Sequence, residues 1–251
     1  MVLHVPAQRL LVSDETLCDT RFFPASTFKV VNTLIALETG MVREDELFPW
    51  NGRSQPFKTW EKDMTLKEAL GVSAVPVFQE IARRIGLGRM KEWVTRLAYG
   101  NADIGTVVDR FWLEGPLVIS PMEQARFLAL LATGRLPISR RSLLEVRRLL
   151  PRENLDGVHL YGKTGWAMAE RPGIGWYVGW TEKNGEIVTF AVSMVMNSLK
   201  DAPMRNTLAL EALRHIGVLT PRRNKFRLPD PGRYFHQLAG IHDGTLIRWF
   251  R

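Results

Sequence analysis

The sequence is poor in the features that define several other classes of protein. It holds one cysteine, Cys18, among 251 residues, so an internal disulfide is excluded. With no base placed beside it in the sequence, we interpret Cys18 as a packing or surface thiol. The five histidines are scattered, with no HExxH or paired-ligand spacing, which disfavours a metal site. No apolar run approaches the roughly 20 residues that span a bilayer, so we expect neither a metal centre nor a membrane span.

The N-terminal residues carry no recognisable targeting signal. MVLHVPAQRLLVSD has none of the basic, apolar and small-residue regions of a secretory signal peptide. A cytosolic protein and a processed or trimmed chain are both compatible with this. Hydrophobic residues make up 45% and charged residues 24% of the chain, which is ordinary for a packed protein of one sizeable unit or two small lobes.

Positive charge is concentrated at the C-terminal end. Residues 220–251 contain seven arginines and lysines and two aspartates, so this segment carries five of the eight net positive charges of the chain. The remainder is close to neutral, and a nucleic-acid surface would depend on this segment alone. We expect no nucleic-acid partner and regard 220–251 as a basic extension of unknown structure.

The first forty residues predict a hairpin followed by a helix. VLHV and RLLVS have the composition of two short strands. Residues 26–39 have a helical pattern, and Gly40 is placed to end it.

Helical patterns dominate from about residue 41 to 150 and then give way to strands. Thr65 and Glu68 form a capping signal, and Ser120-Pro121 forms another. From residue 158 the segments are rich in β-branched and aromatic residues and contain the hairpin turn Lys183-Asn184-Gly185. A helical period returns after residue 202. This order predicts an α/β (α+β) fold: a mixed lobe of residues 1–40 and 151–219, split by a mostly helical lobe of residues 41–150.

Ser26 and Lys29 are the first candidate catalytic pair. They are three residues apart at the start of the predicted helix, so their side chains share a face, and the helix N-terminus favours developing negative charge. A solvated lysine here would be unremarkable, but a lysine buried beside a hydroxyl would be a catalytic base. Ser-x-x-Lys is weak alone, because about one chance match is expected in a chain of this length.

Lys163-Thr164-Gly165 is a second candidate, in a strand-like setting. A lysine and a hydroxyl on one strand suit an anionic substrate, and the glycine would let that substrate lie against the backbone. Taken alone, the tripeptide is more often an ordinary exposed strand end.

Five motifs in order narrow the interpretation to one family. The chain resembles the class D β-lactamases, the oxacillinases, within the serine penicillin-recognising enzymes, and the resemblance covers about residues 8–219. The motifs are Ser26-Thr27-Phe28-Lys29, Ser73-Ala74-Val75, Tyr99-Gly100-Asn101, Trp112-Leu113-Glu114-Gly115-Pro116-Leu117 and Lys163-Thr164-Gly165. The resemblance implies the serine β-lactamase/penicillin-binding transpeptidase-like fold, with a mainly antiparallel sheet flanked by helices and the active site between two lobes. It also implies a periplasmic location.

The family's chemistry can be transferred to matching positions. Ser26 would attack the β-lactam carbonyl, and Lys29, carboxylated by carbon dioxide or bicarbonate, would be the base for acylation and deacylation. Ser73 would relay a proton to the lactam nitrogen with electrostatic support from Lys163. Trp112 would donate its indole N–H to the carbamate, under an apolar cover formed by Val75 and Leu113. No other cofactor is implied.

Further positions would bind the substrate. The backbone N–H groups of Ser26 and Trp166 would form the oxyanion hole. Thr164 and Arg205 would bind the substrate carboxylate beside Gly165. Tyr99 and Asn101 are expected to hold a loop.

In the carbapenem-hydrolysing branch of the family, an aromatic residue and a methionine meet above the nucleophile. Phe57 and Met168 occupy the matching positions, which predicts an apolar bridge that narrows the cleft to a tunnel. The alternative is that Phe57 packs under its own loop and Met168 is merely exposed.

Two other functions are compatible with parts of this pattern. A β-lactam sensor domain would be acylated without turnover, and a cell-wall transpeptidase or carboxypeptidase would lack the WLEGPL and Val75 features. The expected partners are β-lactam small molecules, and the chain is expected to be a monomer or a homodimer.

Overall fold

The computed structural model describes residues 1–5 and 9–221. Most of the predicted basic extension, residues 222–251, lies outside this range. The described residues form eight strands and eight helices. The strands are β1 (Val2–His4), β2 (Arg9–Leu11), β3 (Leu47–Phe48), β4 (Met64–Thr65), β5 (Arg152–Leu155), β6 (Val158–Ala167), β7 (Ile174–Lys183) and β8 (Glu186–Val195). The helices are α1 (Glu15–Asp19), α2 (Lys29–Glu38), α3 (Leu66–Gly71), α4 (Val75–Ile85), α5 (Leu87–Arg96), α6 (Pro121–Ala132), α7 (Arg140–Leu149) and α8 (Ala202–His215).

Six strands form one antiparallel sheet in the order β2-β1-β8-β7-β6-β5, and β3 and β4 form a separate pair. Strands β1 and β2 are the predicted N-terminal hairpin. Strands β7 and β8 are joined through Asn184 and Gly185, with φ of +52° and +81°. Two positive φ values suit the tight turn that matches the twist of paired strands. Both hairpin predictions are therefore confirmed.

The predicted helix signals are also confirmed. Thr65 and Glu68 form a reciprocal capping box at the start of α3, and Ser120 and Glu123 form another at the start of α6. Each box satisfies backbone N–H groups that the first helical turn leaves without intrahelical partners. Gly40 follows the end of α2 with φ of +66°, a conformation that favours glycine.

The large sheet is covered on both faces. Along β7, the side chains of Trp176, Val178 and Trp180 join the main core, whereas Tyr177 joins a smaller core with Leu213 of α8. This alternation follows from the two-residue period of a strand. Helix α6 packs against β7 and β8. The central strand is therefore buried on both sides, as expected for a sheet between two layers of helices.

Residues 25–28 depart from the predicted helix. They form a 3₁₀ turn, and the α-helix begins only at Lys29. Ala25 has φ of +47° and donates its N–H to the carbonyl of Trp112 at 2.8 Å. The hydroxyl of Thr27 donates to the carbonyl of Pro24 at 2.7 Å. These bonds hold a tighter local turn, and Ser26 projects from it.

Within residues 1–5 and 9–221 no helix is long and apolar enough to cross a membrane. The mixed lobe supplies all six strands of the large sheet, but α6 from the mostly helical segment lies against that sheet. The exact boundaries of the two lobes stay a prediction.

Candidate active site

Ser26 and Lys29 meet as their spacing predicts. The ammonium or amine nitrogen Nζ of Lys29 lies 2.6 Å from Oγ of Ser26. Since a 3₁₀ turn has three residues per turn, side chains three apart are eclipsed, and the tighter turn brings the two groups into contact. Ser26 is partly exposed, whereas Lys29 has no exposed surface.

The surroundings of Lys29 are largely aromatic. Its Nζ lies 5.5 Å from the centre of the Phe78 ring. Trp112 is fully buried and stacks on Phe28, the residue before Lys29, with ring centroids 5.5 Å apart. Burial lowers the pKa of Lys29 well below its usual value, and the positive charge of Lys163 lowers it further. Both causes favour the neutral amine over the ammonium form.

The indole N–H of Trp112 has no acceptor among the described residues. Its Nε1 is buried and has no hydrogen-bond partner in the part of the chain that the structure describes. A buried indole N–H ordinarily finds an acceptor. This residue is the expected donor to a carboxyl group on Lys29.

Lys163 and Ser73 form a second lysine–serine contact across the cleft. Nζ of Lys163 is within hydrogen-bond distance of Oγ of Ser73 and donates to the carbonyl of Thr164 at 3.0 Å. Lys163 is 3% exposed, so the alternative of an exposed strand end is wrong. Burial, and then the charge of Arg205, lower the pKa of Lys163 to about 7. Ser73 has φ of +57°, between the end of α3 and the start of α4.

Arg205 lies beside β6. One terminal nitrogen donates to the carbonyl of Gly165 at 2.7 Å, and its Nε is buried with no hydrogen-bond partner among the described residues. Burial lowers the pKa of Arg205. Thr164, which directly follows Lys163 on the same strand, is partly buried. Arg205 thus contacts the strand that carries both Lys163 and Thr164.

At Gly165, strand β6 passes close to the 3₁₀ turn that carries Ser26. A Cβ on Gly165 would lie 3.2 Å from the carbonyl oxygen of Pro24 and 3.2 Å from Cγ2 of Thr27. The missing side chain therefore makes room for the turn, while the expected role of Gly165 beside the substrate stays a prediction. Trp166 follows it on β6, and Ser26 lies in the first turn of a helical segment, where backbone N–H groups lack intrahelical partners. The oxyanion-hole assignment rests on this placement and stays a prediction.

The remaining predicted site residues differ in burial. Val75 is the first residue of α4 and is partly buried, and Leu113 packs against the main core. The ring of Phe57 lies 4.8 Å from that of Trp60, and Met168 is 59% exposed. The bridge between Phe57 and Met168 stays a prediction.

Two loop residues behave as expected. Asn101 donates through its side-chain nitrogen to the carbonyl of Pro116 at 3.0 Å and accepts from the N–H of Val118 at 3.1 Å. Tyr99 is buried and donates to Oε1 of Gln124 at 3.2 Å. Sequence reasoning missed Gln124, although an amide in the apolar pattern of α6 was a visible signal.

Comparisons with known proteins agree with this geometry. The family model of the penicillin binding protein transpeptidase domain matches residues 8–213. Beta-lactamase OXA-5 of Pseudomonas aeruginosa is 40% identical over 204 residues, 80% of this chain and 76% of that protein. Beta-lactamase OXA-48 of Klebsiella pneumoniae is 39% identical over 199 residues, 79% of this chain and 75% of that protein. The structure of FUS-1 (OXA-85), a class D beta-lactamase from Fusobacterium nucleatum subsp. polymorphum, aligns with a TM-score of 0.85 at 38% identity and covers 87% of this chain and 92% of that one.

The chain matches the penicillin binding protein transpeptidase domain over residues 8–213, and its structure holds two lysine–serine contacts. Within that family, the chain belongs to the class D β-lactamases. It is a β-lactam hydrolase, and the fold and family predicted from the five motifs are confirmed.

Proposed function

We propose that this enzyme hydrolyses penicillins through an acyl-enzyme on Ser26, with carboxylated Lys29 as the general base. The observation that carries the proposal is the 2.6 Å contact between Ser26 and a lysine with no exposed surface. A hydroxyl needs a base to attack a carbonyl, and an ordinary protonated lysine cannot serve as one. Burial removes that obstacle because it favours the neutral amine.

The residues around Lys29 fit a carboxyl group. A neutral amine adds carbon dioxide to give a carbamate and releases one proton. The buried indole N–H of Trp112, which lacks an acceptor among the described residues, would hold one carbamate oxygen. When present, the carbamate supplies an anionic base beside the Ser26 hydroxyl. Val75 and Leu113 would limit the access of water to it.

Ser73 and Lys163 are proposed to move a proton to the lactam nitrogen. Their side chains are in contact, and the pKa of Lys163, at about 7, allows it to exchange a proton near neutral pH. A negative charge that develops on the carbonyl oxygen would be stabilised by the N–H groups of Ser26 and Trp166.

Arg205 and Thr164 are proposed to bind the carboxylate of the substrate. A guanidinium can donate two parallel hydrogen bonds to a carboxylate. Arg205 uses one terminal nitrogen for the carbonyl of Gly165, and its buried Nε lacks a partner within residues 1–5 and 9–221. The remaining donors of the guanidinium are available for an anion.

Carbapenem hydrolysis is a finer proposal. It depends on contact between Phe57 and Met168 above Ser26, where a thioether against an aromatic ring contributes roughly 0.3–1.5 kcal/mol. Met168 is exposed, and the ring of Phe57 packs against that of Trp60, so the bridge would need the two side chains to meet. We also propose a periplasmic location, on family resemblance, and a monomer or homodimer in solution.

The decisive test is penicillin hydrolysis with and without added bicarbonate, combined with intact mass measurement of the acylated protein. We expect steady-state turnover, an acyl adduct on Ser26 during the reaction, and recovery by bicarbonate after inactivation at low pH. Protonation of the carbamate nitrogen releases carbon dioxide, so activity should fall as the pH is lowered. Stoichiometric acylation with no steady state would instead favour the β-lactam sensor.

A further inference from the structure

Three buried polar side chains connect helix α6 to the turn that carries Ser26. Gln124 donates through Nε2 to Oγ1 of Thr27 at 2.7 Å, and Tyr99 donates to Oε1 of Gln124 at 3.2 Å. Each of the three side chains is at most 2% exposed. Gln124 and Thr27 are far apart in the sequence, so this contact is made by the tertiary fold.

The donors available define the direction of the bond between Gln124 and Thr27, and Tyr99 interacts with both of these side chains. The Thr27 hydroxyl donates its only hydrogen to the carbonyl of Pro24, at 2.7 Å, so it can only accept from Gln124. The amide of Gln124 must then point its nitrogen to Thr27 and its oxygen to Tyr99. Burial raises the pKa of Tyr99, so the phenol keeps the proton that it donates. A glutamine side chain supplies both the donor to Thr27 and the acceptor for Tyr99 without a charge.

The chain of bonds reaches both sides of the nucleophile. Thr27 directly follows Ser26, and Pro24 lies two residues before it. The same turn is tied to Trp112 through the N–H of Ala25 at 2.8 Å and packs against Gly165 of β6. Gln124 is the polar contact from α6 in this arrangement. Without it, the hydroxyl of Thr27 would lose the hydrogen bond that it accepts from Gln124.

We infer that Gln124 is a positioning residue, which sets the direction of the Ser26 hydroxyl and N–H through Thr27. The inference rests on the proposed role of Ser26 as the nucleophile. Gln124 itself touches neither Ser26 nor a substrate in this arrangement. Its effect should therefore appear in the rate of the covalent steps and leave the binding of the substrate carboxylate unchanged.

The first experiment compares two Gln→Met variants of the full chain. Gln124→Met keeps the length of the side chain and removes both hydrogen bonds. Gln79→Met is the matched control. Gln79 lies on α4 and also donates a side-chain hydrogen bond, to the carbonyl of Asp109 at 3.1 Å, away from the Ser26 turn. Since displacement of a reacting group by 1 Å can lower a rate by about 100-fold, we expect kcat for a penicillin to fall about 10- to 100-fold in Gln124→Met. KM should change less than about threefold, and Gln79→Met should keep the wild-type kcat.

Activity must be expressed per competent site, because a loss of folded protein would mimic the effect. The fraction of molecules that form an acyl-enzyme is counted by mass spectrometry, and the melting temperature is measured for each variant. If kcat per acylated site in Gln124→Met equals the wild-type value, Gln124 only stabilises the fold and the inference is wrong.

A second variant, Gln124→Glu, tests the required hydrogen-bond directions by pH. A neutral carboxyl group donates through O–H to Thr27 and accepts from Tyr99, as the amide does, whereas the ionised form has no donor. Burial raises the pKa of such a carboxyl, and the neighbouring Glu123, which is ion-paired with Arg21, raises it further. The ratio of kcat in Gln124→Glu to kcat in the wild type should therefore rise as the pH falls. A flat ratio, or one that falls, would overturn the inference.

The variant Ser26→Ala separates this inference from the proposed function. If Ser26→Ala still forms an acyl adduct and turns over penicillin, the nucleophile is assigned wrongly and both fail. If Ser26→Ala is inactive while Gln124→Met is normal per site, only the positioning role fails.

Discussion

The site holds two buried lysines, one on helix α2 and one on strand β6, and each lies beside a serine hydroxyl, but the two amines meet different groups. On the helical side, Lys29 contacts Ser26 and faces the ring of Phe78. On the strand side, Lys163 contacts Ser73 and also donates to the carbonyl of Thr164. Both are at most 3% exposed, so a difference in burial does not distinguish them.

Burial is the main cause of the lowered pKa in both lysines, and a neighbouring cation adds to it. That cation is Lys163 for Lys29, and Arg205 for Lys163. The pKa of Lys29 lies well below its usual value, and that of Lys163 is about 7. Lowering the pKa of Lys29 favours the neutral amine that reacts with carbon dioxide, whereas Lys163, with a pKa of about 7, can exchange a proton near neutral pH. Two buried lysines in one site are therefore suited to two different chemical tasks.

The largest expected effect is on the helical side. Lys29→Ala should lower penicillin turnover by roughly 10²- to 10⁴-fold, the usual contribution of a general base. The acyl-enzyme should persist because the same base activates water for deacylation, and mass spectrometry of the trapped adduct measures this. Lys67→Ala, which removes an exposed lysine of α3, is the matched control and should behave as the wild type. Wild-type deacylation in Lys29→Ala would show that another group is the base.

Replacing Lys163 on strand β6 should change the stability of the protein. The lowering of the Lys163 pKa from 10.5 to about 7 corresponds to about 5 kcal/mol at most, and the loss of two hydrogen bonds offsets about 2 kcal/mol of it. Lys163→Met should therefore raise the free energy of unfolding at pH 7 by roughly 3 kcal/mol while it lowers activity.

The pH dependence of that gain follows from linkage. The unfolded chain keeps this lysine protonated up to about pH 10.5, whereas the native amine loses its proton near pH 7. Between these values the unfolded state binds more protons, so the contribution of Lys163 to stability becomes less unfavourable as the pH rises. The melting-temperature gain of Lys163→Met should be largest at and below pH 7 and should shrink towards pH 10.5. Lys91→Met, at an exposed lysine of α5, should show no such trend.

Arg205 should affect binding more than rate. Loss of a bidentate, charge-assisted contact costs about 1.5–3 kcal/mol, so Arg205→Ala should raise KM for penicillins by roughly 10- to 100-fold with a smaller change in kcat. Arg205→Lys keeps the charge but not the planar guanidinium. Its KM should therefore lie between those of the wild type and Arg205→Ala. If steady-state kinetics give an unchanged KM for Arg205→Ala, the carboxylate is bound elsewhere, with Lys163 the next candidate.

The smallest expected effect is that of Phe57 and Met168 on carbapenem hydrolysis. A thioether–aromatic contact contributes roughly 0.3–1.5 kcal/mol, so Phe57→Ala or Met168→Ala should lower kcat/KM for imipenem by about two- to tenfold. Ampicillin hydrolysis should largely survive. Leu144→Ala removes an exposed apolar side chain of α7 and serves as the control. Equal losses for both substrates would contradict the proposed bridge.

Local features of this protein were predictable from the sequence because they depend on neighbours in the chain. The capping pairs Thr65–Glu68 and Ser120–Glu123 and the Asn184-Gly185 turn are short-range patterns. The contact of Ser26 with Lys29 needs only a three-residue spacing on a helical turn. The family resemblance, which depends on the order of five motifs, also identified Ser73 and Lys163.

Other features were decided only by the tertiary structure. The sequence predicted an α-helix at Ser26, but a bond from Ala25 to the carbonyl of Trp112 accompanies a 3₁₀ turn there. The contact of Lys163 with Ser73 joins residues 90 positions apart, and the depth at which Lys29 is buried depends on several packed elements. Gln124 acquires its partners in the same way. Periodicity and spacing describe what a residue meets along its own segment, whereas burial, hydrogen-bond partners and pKa depend on which distant segments the fold packs around it.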